Sequence, residues 1–156
     1  MATDTPSPIA RALGRIPCGL YIVTTNAPEG PLGFLGSFVA QVGFEPPTVC
    51  IAVGRDRDHL AAMRASGRFA LSILGTESGA LMKPFFGSED PFMEVATTTT
   101  DAGSTVLDGA LAWLDCQISG EHDVGDHIVV FGEVQAASLQ EEGDPKIHLR
   151  KSGLGY

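Results

Sequence analysis

Short apolar stretches alternate along this chain with breaks rich in Gly, Pro and Asp, a pattern that predicts many strands and few helices. Residues 20–25 (Leu-Tyr-Ile-Val-Thr-Thr) are β-branched and aromatic, and a turn over 26–30 follows them. Residues 32–42 read as one strand carrying Gly33 and Gly36, glycines that mark a bend or a close approach. After Pro46-Pro47, residues 48–53 form a buried strand. Asp56 or Asp58 then caps a helix running to Ser66, with Leu60 and Met63 inward and Gly67 just past its end. Residues 69–74 are a further strand. A second helix capped by Thr76 runs through Met82 and stops at Pro84. Residues 87–109, with four threonines at 97–100, lack periodicity and predict a mobile loop or lid. Strands over 111–118, His127–Leu139 and 147–149 complete the series.

The expected fold is mainly β with short helices, a closed or partly closed barrel. One domain is expected over 1–156. Residues 1–14 are expected to be loosely ordered, with at most a turn or two of helix at Pro8–Leu13.

Composition narrows the classes of function. The chain has 10 Lys and Arg against 19 Asp and Glu, a net charge of −9, which speaks against nucleic acid as a general partner. No apolar run reaches the ~20 residues of a membrane span. The polar, proline-bearing start lacks the pattern of a secretory signal, so the expected address is cytoplasmic. Cys18, Cys50 and Cys116 contain no Cys-x-x-Cys pair and read as reduced thiols, Cys50 and Cys116 as core residues and Cys18 as more exposed. His122 and His127 match no common metal-binding spacing, and no metal is expected. Arg55, Arg57, Arg64 and Arg68 concentrate the few cations in one segment. They are either an anion site or, for Arg57, Arg64 and Arg68, one solvated side of a helix.

The remaining signal is Gly125-Asp126-His127, a turn that sets an imidazole at the mouth of a strand. Together with Gly19-Leu20-Tyr21-Ile22-Val23-Thr24-Thr25, Gly36-Ser37-Phe38, Pro46-Pro47, Gly67-Arg68-Phe69-Ala70 and the stretch from Leu107 to Leu114, it makes an ordered set of motifs. That set resembles the flavin reductase-like family, whose fold is the FMN-binding split barrel, from about Arg15 onward.

The resemblance implies a homodimer with one FMN per protomer (FAD is possible) and reduction by NADH or NADPH. Its alternative is a flavin-holding electron carrier without efficient NAD(P)H oxidation. An oxygenase or another electron-acceptor protein is the implied partner. By the same resemblance, Gly36, Ser37 and Phe38 face the flavin ring, with Gly36 standing where many members have Asn. The segment from Val53 and Gly54 through Arg55 and Arg57 to His59 holds the phosphate. Monooxygenase-type reductases carry serines near Asp56 and Arg57 and a threonine near His59. This chain is closer to the basic-Asp-Arg form of the flavodiiron-fused branch, and Asp56 is expected to turn away and cap the helix. Lys83 is a second phosphate candidate, Phe86 lies along the ring, and Tyr156 in the closing segment shields it. His127 contacts the nicotinamide, a role of alignment rather than of acid or base.

Overall fold

The computed structural model describes residues 5–156. Helix α1 (Pro8–Leu13) starts with proline in its first turn, and the Ser7 hydroxyl accepts the Ala10 N–H at 3.2 Å. It lies within the segment expected to be loose and is tied to the end of the chain, where the Gly153 N–H donates to the Ala10 carbonyl at 2.7 Å. Residues 1–4 lie outside the described residues.

Eleven strands follow: β1 (Cys18–Gly19), β2 (Tyr21–Ala27), β3 (Gly30–Gly36), β4 (Val39–Phe44), β5 (Pro47–Gly54), β6 (Arg68–Ile73), β7 (Thr97–Thr99), β8 (Thr105–Leu107), β9 (Ala112–Asp123), β10 (His127–Leu139) and β11 (Ile147–His148). Helix α2 (Asp58–Ser66) joins β5 to β6, and α3 (Gly79–Met82) leads into a 3-10 turn at Lys83–Phe86. No helix among the described residues is long and apolar enough to cross a membrane.

The main sheet has the order β3-β2-β6-β9-β10-β5-β4 and is antiparallel throughout. The strand expected over 32–42 is in fact two, β3 and β4, and these form opposite edges of the sheet. Only Ser37 and Phe38 link them, so Gly36 and Val39 can stand no more than ~11 Å apart. A flat seven-stranded sheet cannot satisfy that link. The sheet therefore curls until its two edge strands come together at that corner, which is the split barrel.

The interior follows from strand alternation. Val49, Ile51 and Val53 of β5 point inward, as do Ile128 and Val130 of β10, and α2 plugs the barrel with Leu60 and Met63. Helix α2 ends as its sequence predicts: Gly67 adopts φ 71°, and its N–H donates to the Met63 carbonyl at 2.8 Å.

Several local expectations are corrected. The N-cap of α2 is Arg57, without a side-chain cap, so neither Asp56 nor Asp58 caps the helix; Asp58 sits in its first turn, where its charge suits the helix dipole. Arg57, Arg64 and Arg68 do not share a helical side, because Gly67 ends the helix before Arg68. Arg64 instead pairs with Glu121 at 2.7 Å. The segment expected to be a mobile loop contains the β7–β8 hairpin, in which Thr97 pairs with Leu107 and Thr99 with Thr105. Of the thiols, Cys116 is fully buried, and burial pushes its pKa up to about 12, which leaves it unreactive.

Candidate functional site

A cavity of about 530 Å³ opens beside the β3–β4 corner, within the ~300–1,000 Å³ usual for small-ligand sites. Its floor is the corner itself, Gly36, Ser37 and Phe38, held to β5 by the Ala52 N–H donating to the Phe38 carbonyl at 3.0 Å. Ala52 and Gly54 supply the β5 side. Both have small or no side chains, so backbone lies close to whatever enters. Arg57 reaches in from the head of α2, its guanidinium over the Phe34 ring at 5.2 Å. Met82, Phe85 and Phe86 form an apolar wall, and Tyr156 stands at the mouth.

The fourth side comes from the end of the chain. Strand β11 pairs with β1 (Cys18 with His148, Gly19 with Ile147), and the Lys146 N–H donates to the Leu74 carbonyl at 3.0 Å. This pairing carries Lys146, His148 and Arg150 to the cavity. The tail can cross α1 only because residue 153 is glycine: a Cβ there would stand 2.0 Å from that of Leu13.

Of the residues expected to bind cofactor, Gly36, Ser37, Phe38, Gly54, Arg57, Phe86 and Tyr156 line the cavity. Val53, Arg55 and Lys83 do not, and each has a physical reason. Val53 is wholly buried because the period of two that turns Ala52 and Gly54 to the cavity turns its side chain into the barrel. Arg55 is spent on the loop before β10: it pairs with Asp123, and its Nε–H donates to the Gly125 carbonyl at 2.9 Å. Lys83 is exposed in its 3-10 turn and points elsewhere.

His127 stands behind the cavity wall, not on it. Its ring centroid is 5.6 Å from that of Phe38. Nδ1 lies 2.9 Å from Asp126 Oδ1, and Nε2 lies 2.9 Å from the Tyr156 hydroxyl. A carboxylate can only accept, so Nδ1 carries a proton, and in the neutral ring Nε2 accepts from tyrosine. This bond to His127 holds the Asp126 carboxyl below its usual range.

Sequence reading missed Lys146 and His148, and it gave Arg150 no role of its own although the closing segment that Arg150 begins was expected, by the family resemblance, to fold back towards the flavin. The signal was there: Lys-Ile-His-Leu-Arg alternates basic and apolar residues, the mark of a strand with one charged side.

No Asp or Glu lines the cavity among the described residues, although the chain carries a net charge of −9. Aromatic, thioether and aliphatic groups alternate there with Arg57, Lys146, His148 and Arg150. The Nε of Arg150 is buried and has no partner. These features fit a flat apolar ring with an anionic tail. A neighbouring cavity of about 560 Å³ shares Phe85 but has the opposite character: Glu29, Glu89 and Asp90 line it with His59. The His59 Nε2 meets the Gly33 carbonyl at 3.1 Å, its Nδ1 is buried without a partner, and burial lowers its pKa.

Comparison with known proteins gives a consistent result. The family profile described as flavin reductase like domain matches residues 13–153. Diflavin flavoprotein A 1 of Synechocystis sp. is 37% identical over 158 residues, covering 96% of this chain and 27% of that protein. The chain thus spans about a quarter of the length of the diflavin flavoproteins it matches. The reductase subunit of a flavin-dependent monooxygenase from Mycobacterium tuberculosis is 34% identical over 135 residues, covering 85% of this chain and 72% of that one. Among solved structures, an NADH:FAD oxidoreductase from Streptomyces globisporus superposes with a TM-score of 0.81 at 28% identity, covering 92% of this chain and 81% of that one.

Proposed function

The chain belongs to the flavin reductase like domain family, and from that premise we propose that its cavity holds FMN and that NADH or NADPH reduces the flavin there. When bound, FMN supplies the acceptor for the two electrons and the hydrogen of a hydride. The protein supplies binding, alignment and dryness. Phe38, Met82, Phe85 and Phe86 offer apolar surface to the ring. Backbone at Gly36 and the Ser37 hydroxyl offer polar contacts to its edge. Arg57 and the uncapped first amides of α2 offer charge-assisted bonds to the phosphate. His127, oriented through Nδ1 by Asp126, has an Nε2 lone pair that accepts from the carboxamide of nicotinamide once the Tyr156 hydroxyl gives it up. Such a step depends on alignment and exclusion of water and needs no nucleophile.

The observation that carries this reading is the aromatic, cation-bearing cavity, lined by no Asp or Glu among the described residues, in an acidic chain. The test has two stages. Fluorescence titrations compare FMN with riboflavin, and FMN should bind tighter by about tenfold or more. The FMN-loaded protein is then given NADH and NADPH in turn, and their oxidation is followed by absorbance. Equal flavin affinities remove the phosphate site; absence of nucleotide oxidation removes the reductase.

The second reading, a flavin-holding electron carrier, is favoured by one observation: Tyr156 already occupies the His127 Nε2. FAD is the other flavin that the proposal admits. The proposal also includes a homodimer in a cytoplasmic setting and a partner that is an oxygenase or another electron acceptor. The exposed Phe44 and Val42 on edge strand β4 support the dimer, and sedimentation at micromolar concentration tests it.

A further inference from the structure

Lys146, His148 and Arg150, at alternate positions in and beside β11, put three nitrogen-bearing side chains against the cavity. None of the three is in a salt bridge among the described residues. Arg150 is the most constrained. Its guanidinium lies 4.7 Å over the Phe38 ring, Phe38 lies 5.6 Å from His127, and its buried Nε has no partner. Arg150, Phe38 and His127 thus form one contiguous row of rings and charge. Arg57 belongs to another part of the wall, over Phe34 at the head of α2.

Charge bookkeeping separates the two groups. A flavin monophosphate carries about −1.5 to −2. Arg57 and the helix N-terminus, worth about +0.5, answer most of it. Lys146 and Arg150 would then remain as two uncompensated cations in a partly desolvated cavity, an expensive arrangement unless a second anion arrives. The diphosphate of a dinucleotide carries two charges. It sits one ribose away from the nicotinamide, so a nicotinamide at His127 brings the diphosphate towards Arg150.

We propose that Lys146 and Arg150 bind the diphosphate of the pyridine dinucleotide and are positioning residues that set its nicotinamide end at His127. This rests on the reductase reading. A diphosphate also occurs in FAD, so the test must separate the two sources.

FMN-loaded protein is titrated calorimetrically with ADP-ribose, which has the diphosphate but no nicotinamide. Wild type, Lys146→Gln and Arg150→Gln are compared, with quench titrations of the flavin-free proteins against FMN and FAD alongside. Each substitution should weaken ADP-ribose about tenfold, the worth of one charge-assisted bond, and shift the affinities for FMN and FAD less than about threefold. KM for the dinucleotide should rise far more than kcat falls. Wild type that does not bind ADP-ribose at millimolar concentration, or variants that bind it unchanged, would overturn the proposal. So would a selective loss of FMN affinity, which assigns these cations to the flavin phosphate, or of FAD affinity, which assigns them to the flavin diphosphate. Binding of ADP-ribose through these residues without oxidation of the dinucleotide keeps this proposal and removes the reductase. Oxidation with unchanged KM and ADP-ribose affinity does the reverse.

Discussion

Asp115 is wholly buried and Arg150 is half-buried with its Nε out of water, and the molecule treats the two charges differently. Asp115, fully buried in β9, accepts from Arg68 at 3.0 Å, from Ser104 at 2.7 Å and from Thr100 at 2.5 Å. The bonds stitch β9 to β6 and to the β7–β8 hairpin. Arg68 keeps an unpartnered Nε, so the network is complete on the carboxylate's side alone. Arg150 stacks on one ring and leaves its buried Nε unanswered beside an open cavity. A buried charge whose partners are all protein is committed to the fold. One with a partner missing, at a cavity wall, is held ready for a ligand.

The sharpest way to break that contrast is Asp115→Ala. Removing the carboxylate strands Arg68 and two hydroxyls, and urea unfolding should report a loss of about 3–5 kcal/mol. The fraction that stays folded should bind FMN as wild type does. A loss below about 1 kcal/mol would mean that the network is ornamental.

Arg57→Gln is expected to leave unfolding almost unchanged and to cost FMN about 1.5–3 kcal/mol of affinity, with riboflavin unaffected. Parallel loss for both flavins would relocate Arg57 from the phosphate to the ring. His127→Ala should reduce kcat/KM for the dinucleotide about five- to tenfold in stopped-flow reduction of preloaded protein, one hydrogen bond's worth, with flavin retained. A wild-type rate, or loss of flavin, would overturn its role.

The smallest effect concerns His59, whose pKa is lowered chiefly by burial. As pH falls through histidine's ordinary value of about 6.5, the unfolded chain takes up the proton first and is favoured. Stability should therefore fall below about pH 6.5 and go on falling until the lower folded value is passed. Partial exposure screens the charge, so the difference is small. Urea midpoints at about pH 7.5 and about pH 5.5 should show that slope in wild type and less of it in His59→Gln. Equal slopes would clear His59 of any part in it.

What was legible in the sequence is what short-range physics decides. Alternating β-branched residues gave β2, β5, β6 and β10, and a glycine needing positive φ marked the end of α2. The family's motifs brought Gly36, Ser37, Phe38, Gly54, Arg57, Phe86 and Tyr156 to one cavity. The failures are non-local or one residue out of phase. The threonines at 97–100 carry no hydrophobic period, so only the pairing of the first three to residues 105–107 reveals a strand. Val53 was included with Gly54 although neighbours on a strand face opposite sides. Arg55 reads as a free cation until Asp123, far along the chain, claims it. Lys146, His148 and Arg150 became wall residues through the pairing of β11 with β1, which nothing local to either strand announces.

That pairing has a consequence for the timing of biosynthesis. Segments emerge from the ribosome in order, and domains form as their parts become available. The corner at Ser37 and Phe38 and the head of α2 are made early, but the wall that faces them comes from strand β11, held against β1. A nascent chain that has not yet exposed Arg150 has a cavity with one side missing. Capture of the flavin is thus deferred until this segment has been translated and β11 has docked on β1.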